Sequence, residues 1–492
     1  GAKMIMTSFN VLDGIPATIN KHLLREVLRD LWKFDGLTIT DYDSLHQVVP
    51  HGNAENDEEA ALKGIIAGLD IEMASTCYIN YLKKLIENHQ VDMKLVDEAV
   101  LRVLKLKEEI GLFDNPYKGA SVLLESKFVR SIEHLEISKK VAHESMVLLK
   151  NESILPLSKE KKYALIGPYA DTRNTNGPWS WHGKNELNLT LKETLAENHI
   201  SLSLVKQVAT IDDLNEEDLK ELKKVDAVIL ALGENERESG EAHSKVDINL
   251  PRNQEKFVDL IKNLNLDAIV LLYHGRPFDL TNIMHANAIL DVYYLGSMAN
   301  SAIADVLTGV INPSGKLTMS YPRHVGQIPI YYNYLNTGRP KILGDRNEYV
   351  SYYLDELNSP LFPFGYGLSY SKFSYHDLRL SQFEMTVDEE ISLAIDVQNE
   401  SEIGGFETIE LYIRDYVATI SRPVKELKGF QKVWFAPHQK KTIEFVINRS
   451  ILSYLDDQGK EVIEPGRFRI MVGSSSEELT SLDIILKKEV SQ

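Results

Sequence analysis

The spacing of apolar positions changes along the chain, and the change divides it into regions. From residue 1 to about 118, short apolar runs alternate with stretches that are apolar every three or four residues. Lys3–Thr7, Leu37–Thr40 and Gly68–Met73 read as strands, each followed by a helical pattern. One predicted helix, Lys21 to Trp32, carries Leu23, Leu24, Val27, Leu28 and Leu31 at helical spacing. Another, Lys94 to Glu109, is expected to turn Leu95, Val96, Val100, Val103, Leu104 and Leu106 inward. This alternation suits part of a parallel β/α barrel, which needs eight strands and here has three.

A helix predicted from Ser126 to Ser145 leads through Val147–Asn151 into a second alternating region, ending near Pro322. Its strands, Tyr163–Ile166, Ala227–Leu232, Ala268–Tyr273 and Ala288–Tyr294, are apolar throughout. Parallel strands covered by helices on both faces read that way. Residues 323–370 form an irregular connector rich in Pro, Gly and Tyr. Beyond it the period becomes two, at Ile391/Leu393/Ile395/Val397, Ile409/Leu411/Ile413, Ile443/Phe445/Ile447 and Phe468/Ile470/Val472. Alternating strands over residues 371–492 predict a β-sandwich. The expected domains are therefore 1–118, 119–322 and 371–492, with 323–370 as the connector.

Composition narrows the chemistry. The 492 residues are 43% apolar and 26% charged, ordinary for a globular chain with room for two to four domains. A net charge of −18 argues against nucleic acid and anionic membrane as partners, and suits a neutral substrate without requiring one. One cysteine, Cys77, excludes an internal disulfide and a cysteine metal cluster. Fourteen histidines lack ligand spacing, and Gly365, Gly367 and the other glycines form no phosphate cradle, so neither metal nor cofactor is expected. No apolar run reaches 18 residues, the length that would span a membrane. The chain opens Gly1-Ala2-Lys3 without a methionine, as a fragment does, so the missing signal peptide carries no weight. The lone cysteine tilts the expected location toward the cytoplasm, which is otherwise open. Asn188-Leu189-Thr190 is a glycosylation sequon by pattern only.

The candidate chemistry begins at Asp41, a carboxylate delivered at the C-terminal end of an apolar strand. In alternating barrels reactive groups sit at that end. An equally physical reading makes Asp41 the N-cap of the helix that follows. The surrounding motifs decide between these. Met6-Thr7-Ser8-Phe9-Asn10, Asp13-Gly14-Ile15-Pro16-Ala17-Thr18, Phe34-Asp35-Gly36 with Thr40-Asp41-Tyr42, Ala67-Gly68-Leu69-Asp70-Ile71-Glu72-Met73 and Gly111–Tyr117 occur here in order. In sequence and spacing they resemble the β-glucosidases of glycoside hydrolase family three, the bacterial periplasmic type in particular. Asn336–Pro340, Pro363–Tyr370 and Pro423–Phe430 extend the resemblance through the connector and into the family's fibronectin type III-like domain.

The resemblance implies α/β plus β: the last three strands of a (β/α)8 barrel, an α/β sandwich with a mostly parallel sheet, and a C-terminal fibronectin type III-like sandwich. The first five barrel strands have no counterpart in this chain. It also implies a retaining, exo-acting β-glucosidase with Asp41 as the nucleophile. Such an enzyme needs a second carboxyl group roughly 5–5.5 Å from the first. Gly233–Lys245, after the strand Ala227–Leu232, holds Glu234, Glu236, Glu238 and Glu241. Mutual repulsion there can raise one pKa, although composition alone describes a solvated acidic loop. The resemblance of Ser239-Gly240-Glu241-Ala242, Asp247–Pro251 and Gln254 to the family's acid/base segment selects Glu241. Glu238 is the fallback, because the loop varies in length among family members. Acid and nucleophile would then come from different domains, with the site between them.

Tyr42, Phe9 and Met73 are expected to shape the sugar site, with core packing the competing role for Met73. Trp179 and Trp181 are candidates to stack on sugar faces, since family members carry a Ser-Trp-Ser element there. A small carbohydrate is the expected substrate. The missing strands call for a separate N-terminal barrel fragment, or a homo-oligomer, as partner. Alternatives are a β-xylosidase, a truncated sugar-binding remnant without turnover, and an N-acetylglucosaminidase. The last places its acid on a barrel loop, which argues against it. An adhesive β-sandwich protein would leave residues 1–322 unexplained.

Overall fold

The first of two compact units spans Gly1–Val129 and the second runs from Arg130 onward. They are seen in a computed structural model that describes residues 1–180, 183–341 and 348–488. In the first unit β1 (Met4–Thr7), β2 (Leu37–Tyr42) and β3 (Ile71–Met73) pair in that order, all parallel. The helices are α1 (His22–Leu31), α2 (Asp57–Ala67), α3 (Cys77–Glu87), α4 (Met93–Glu109) and α5 (Val122–Phe128). Asn56 caps α2 by accepting the Glu59 N–H at 3.0 Å, three acidic residues fill its first turn, and Gly68 ends it at φ +98°.

A buried carboxylate ties this unit together. Asp70, just ahead of β3, has a side chain only 1% exposed. It pairs with Arg29 of α1 at 2.9 Å and Arg102 of α4 at 2.7 Å. It also accepts the Thr38 N–H and hydroxyl of β2, both at 2.9 Å. That arrangement explains a departure from the expected face of α4. With Arg102 turned toward Asp70, residues two positions away point oppositely. Val100 and Leu104, expected inside, are 48% and 45% exposed. In α1 Leu24 and Leu28 are buried but Leu31 is 71% exposed, because the helix ends in wide turns such as Trp32 N–H to the Val27 carbonyl. The single helix expected over Ser126–Ser145 is two: α5, then α6 (Ile132–Ser145). Arg130 breaks them at φ +58°, and Ser131 caps the second by accepting the His134 N–H.

The second unit holds β4 (Val147–Asn151), β5 (Lys162–Ile166), α7 (Leu191–Glu197), β6 (Ser201–Lys206), α8 (Glu216–Leu222), β7 (Ala227–Gly233), α9 (Glu255–Asn263), β8 (Asp267–Tyr273), β9 (Ala288–Asp291) and α10 (Ala299–Leu307). The strands form one sheet in the order β4-β9-β8-β7-β5-β6, parallel except where β4 joins β9. Along β7, Ala227, Ile229 and Ala231 enter one core, with Leu191, Leu195 and Ile303. Val228, Leu230 and Leu232 enter the other, with Leu222, Phe257 and Ile261. Both faces are dry, which is why the run is apolar throughout.

The last part is a sandwich of two sheets. One is β10 (Phe373–Leu380), β12 (Ile391–Asn399) and β15 (Lys440–Ile447). The other is β11 (Glu384–Met385), β17 (Leu479–Leu486), β16 (Gly466–Gly473), β13 (Gly405–Asp415) and β14 (Glu426–Phe435). Ile391, Leu393, Ile395 and Val397 meet Ile409, Leu411, Ile470 and Val472 between them. β13 also carries buried polar groups. Glu407 pairs with Lys316 at 3.6 Å and accepts the Tyr375 hydroxyl at 2.8 Å. Glu410, 4% exposed, accepts the Tyr412 hydroxyl.

Burial lifts the Glu410 carboxyl from 4.5 to about 7, the Tyr412 hydroxyl and Lys316 opposing it and Glu407 reinforcing it. A folded-state value above the ordinary one stabilises the fold fully below about pH 4.5, and the stabilisation is lost as pH rises through about 7. Glu410→Gln keeps a hydrogen-bonding acceptor and removes the titration. Urea unfolding is expected to show the variant more stable at pH 8 by up to about 3 kcal/mol, with no gain at pH 4.

Candidate functional site

Asp41 is the penultimate residue of β2, and its Oδ1 accepts the N–H of its own neighbour Tyr42 at 2.6 Å. It caps no helix: α2 is capped by Asn56, and the short turn His46–Val48 is entered from Leu45 without a side-chain cap. The chain reverses immediately after it. Asp43 takes φ +57° and donates its N–H to the Met73 carbonyl at 2.8 Å, and the Ser44 N–H reaches the Asp41 carbonyl. Beneath this turn runs a buried row of hydroxyls, Thr7 to Thr18 at 3.1 Å and Thr18 to Ser44 at 2.6 Å. Isolated hydroxyl residues carry no spacing signal, so the sequence gives no warning of this row. Tyr42 is 68% exposed and stands opposite Met73 in the sheet register. Met73 is half-buried, and its N–H reaches the Thr40 hydroxyl at 2.7 Å. Asp41, Tyr42 and Met73 thus share the C-terminal end of one parallel sheet, and half-buried Phe9 follows β1 by two residues.

In the second unit the acidic loop leaves β7 at Gly233, whose φ of +142° and approach to the Tyr273 carbonyl leave no room for a Cβ. Gln254, fully buried, clamps Gly233 through both backbone groups, at 2.7 and 3.1 Å. The four glutamates do not behave as a repelling cluster. Glu234 is completely buried between Lys245, at 3.0 Å, and Arg276, at 3.1 Å. Glu238 pairs with Lys245 at 3.4 Å and Arg252 at 3.2 Å, and accepts the Asn235 N–H at 2.9 Å. Burial pushes Glu238 upward, but the Asn235 N–H and the two cations outweigh it and hold the carboxyl below its ordinary value. The expectation that repulsion would raise a pKa is therefore wrong for Glu238: cations from outside the acidic run neutralise it.

Glu241 is exposed, and its carboxylate has no hydrogen bond or ion pair among the described residues. Its neighbours Gly240 and Ala242 have φ +101° and +61°. A Cβ at Gly240 would lie 3.6 Å from Trp179 Cδ1, so the structure brings the Trp179 loop against the Glu241 turn. Trp179 is 63% exposed, and Trp181 lies outside the described residues. The Tyr294 hydroxyl donates to the Glu234 carbonyl at 2.9 Å, and the Tyr169 hydroxyl donates to it as well. These tyrosines, Lys245 and Arg276 were missed in the sequence. The available signal was Gly275-Arg276-Pro277, a cation just past a strand whose neighbour ends in acid.

Other candidates fall away. The sequon residue Asn188 is 2% exposed, with its amide on the Arg173 carbonyl at 3.1 Å. Cys77 is buried, and burial pushes its thiol up to about 12, which removes it as a nucleophile. Among the described residues no three His, Cys, Asp or Glu side chains come together as metal ligands would, and no helix is long and apolar enough to cross a membrane.

Residues 1–106 match the glycosyl hydrolase family 3 N-terminal domain, 146–370 the family 3 C-terminal domain, and 407–476 a fibronectin type III-like domain. A β-glucosidase from Listeria innocua, solved in complex with isofagomine, superposes with a TM-score of 0.94 at 40% identity, covering 100% of this chain and 69% of that one. The chain belongs to glycoside hydrolase family 3. Among other family 3 relatives, the periplasmic β-glucosidase of Salmonella typhimurium is 36% identical over 97% of this chain and 66% of its own length. A β-xylosidase of Formosa agariphila is 32% identical over 99% of this chain and 70% of its own length. The chain thus spans about two thirds of the length of these relatives. The family 3 N-terminal match contains all three strands of the first sheet and Asp41. The C-terminal match contains the six-stranded sheet and Glu241.

Proposed function

We propose that this chain carries the reacting carboxylates of a retaining, exo-acting β-glucosidase, with Asp41 as nucleophile and Glu241 as acid/base. The observation that carries the reading is the carboxylate of Asp41, at the C-terminal end of a parallel strand and, among the described residues, bound only to its neighbour's amide. Asp41 attacks the anomeric carbon while Glu241 protonates the departing oxygen; Glu241 then activates the water that releases the sugar. Glu241 is favoured over Glu238 because the Glu238 carboxylate is committed to two cations and an amide that keep it ionised. Tyr42, Phe9, Met73 and Trp179 are the proposed sugar contacts. Relatives named β-glucosidase support glucosides as the first choice of substrate, and one named β-xylosidase supports xylosides as the second.

In this reading β1, β2 and β3 are the last three strands of an eight-stranded barrel. The domains divide at 1–118, 119–322 and 371–492, with 323–370 connecting. Strands that relatives carry outside the matched two thirds then supply the hydrogen bonds orienting the sugar. Misplacing a substrate by about 1 Å can cost roughly a hundredfold, so the chain alone is expected to turn over slowly.

Native mass spectrometry with an aryl β-glucoside assay tests this. Turnover is expected once the remaining barrel strands are present, on the same polypeptide or on a bound one, and its absence then would refute the assignment. In the active preparation, Glu241→Ala should lower hydrolysis of alkyl β-glucosides about 10²- to 10⁴-fold. Azide should restore cleavage of activated aryl glucosides. Glu238→Gln should show no such rescue.

A further inference from the structure

We infer that Arg276 is a positioning residue for the acid/base turn, its guanidinium clasping both flanks of Gly240-Glu241-Ala242 and anchoring them to the buried carboxylate of Glu234. The inference rests on the assignment of Glu241 proposed above. Arg276 Nη2 donates to the Glu238 carbonyl on one side of the turn, at 2.5 Å, and to the His243 carbonyl on the other, at 2.7 Å. Its Nε donates to Glu234 at 3.2 Å. One side chain therefore joins two points that straddle Glu241.

The base of the clasp is rigid. Arg276 stands three residues beyond β8, and Glu234 begins the loop after β7, the strand beside it. The Glu234 N–H reaches the Tyr273 carbonyl at 2.9 Å, and Lys245 closes on the same carboxylate. The held turn is strained. Gly240 and Ala242 both take left-handed backbone conformations, and for alanine that conformation persists only when surrounding contacts enforce it. Within the turn the His243 N–H reaches the Gly240 carbonyl at 3.3 Å and the His243 ring the Glu241 carbonyl at 2.6 Å, yet Glu241, Ala242, His243 and Ser244 are exposed, so solvent competes for these bonds. An acid that must reach a leaving oxygen with near-atomic accuracy thus sits on a strained, exposed turn. A planar fork from the sheet is what fixes it. Lysine supplies the charge but not the fork, so Arg276→Lys separates the two contributions.

Hydrogen exchange read by mass spectrometry tests the clasp without reference to activity. In Arg276→Lys, amides of residues 235–245 should exchange at least tenfold faster, with β7 and β8 unchanged. In the active preparation kcat/KM, which covers only the steps through formation of the glycosyl-enzyme, should fall at least tenfold on an alkyl β-glucoside, whose leaving oxygen needs the acid. It should stay within about threefold on a dinitrophenyl β-glucoside, which does not. Unchanged exchange over 235–245 together with an unchanged ratio between the two substrates would overturn the clasp. A loosened turn combined with a Glu241→Ala variant insensitive to leaving group would leave the clasp standing and remove the acid/base assignment instead. If Arg276→Lys fails to fold, Glu234→Gln keeps the shape, removes the anchoring charge and carries both readouts.

Discussion

Asparagine at position 41 is expected to lower aryl β-glucoside hydrolysis by about 10⁴-fold and to leave thermal unfolding unchanged. The size follows from the role: loss of the nucleophile in covalent catalysis removes an entire two-step route, on the scale seen when a nucleophile is deleted. The silence in stability follows from geometry. The Asp41 carboxylate accepts one local amide and neutralises no buried cation, so an amide of the same shape disturbs nothing. The two readouts together matter, because a structural aspartate would lose both. A 2-fluoro glucoside should in addition leave a stable adduct on the peptide containing Asp41 in the parent protein and none in Asp41→Asn. Loss of turnover with retention of that adduct elsewhere would move the nucleophile to another residue.

Asp70→Ala is the reverse case, a carboxylate near the same strand whose removal should unfold rather than inactivate. Its loss leaves Arg29, 10% exposed, without its anion and Arg102, 20% exposed, with only Glu98 at 3.7 Å, and strands the amide of Thr38. Burial and repulsion by Arg102 already lower the Arg29 pKa against the pull of Asp70. Breaking a buried ion pair by deleting one partner costs about 3–5 kcal/mol. Urea unfolding monitored by amide exchange in β2 should show a loss of that size for the first unit, and none in β7. The control is Asp35→Ala. Asp35 pairs with Lys105 at 3.1 Å but both are well exposed, and no measurable change is expected.

The contrast between these aspartates marks what a sequence can disclose. Both lie in motifs that the sequence singles out, yet nothing in the spacing says that one is a buried staple and the other a nearly unattached carboxylate. Burial periodicity was easier to read. β7, and β8 from Ala268 on, are apolar throughout because two separate cores meet on them, and the pattern reports that directly. β6, with Ser201 and Ser203 alternating with Leu202 and Leu204, lies at the sheet edge and was missed for the same reason. The α4 face was misjudged because a charged residue, Arg102, turned inward to an acid 32 positions earlier. The acidic loop was misjudged likewise, since Arg276 reaches it from the next strand. Long-range pairing between ionised side chains leaves no mark on local period, and that is where reading from the sequence stopped.

The order of strands in the second unit has a further consequence, for how the chain acquires its structure. β4 is synthesised first but lies against β9, whose residues emerge some 140 positions later. Until then Val147, Leu148 and Leu149 form an apolar segment without its partner strand. Closure of so long a loop is entropically slow, and contacts this distant in sequence lengthen folding. A nascent chain interrupted before Asp291 exposes a strand primed to pair with whatever edge it meets. The slot beside β9 can thus be filled only after Asp291 has emerged, which makes the docking of Val147–Asn151 a late step of maturation.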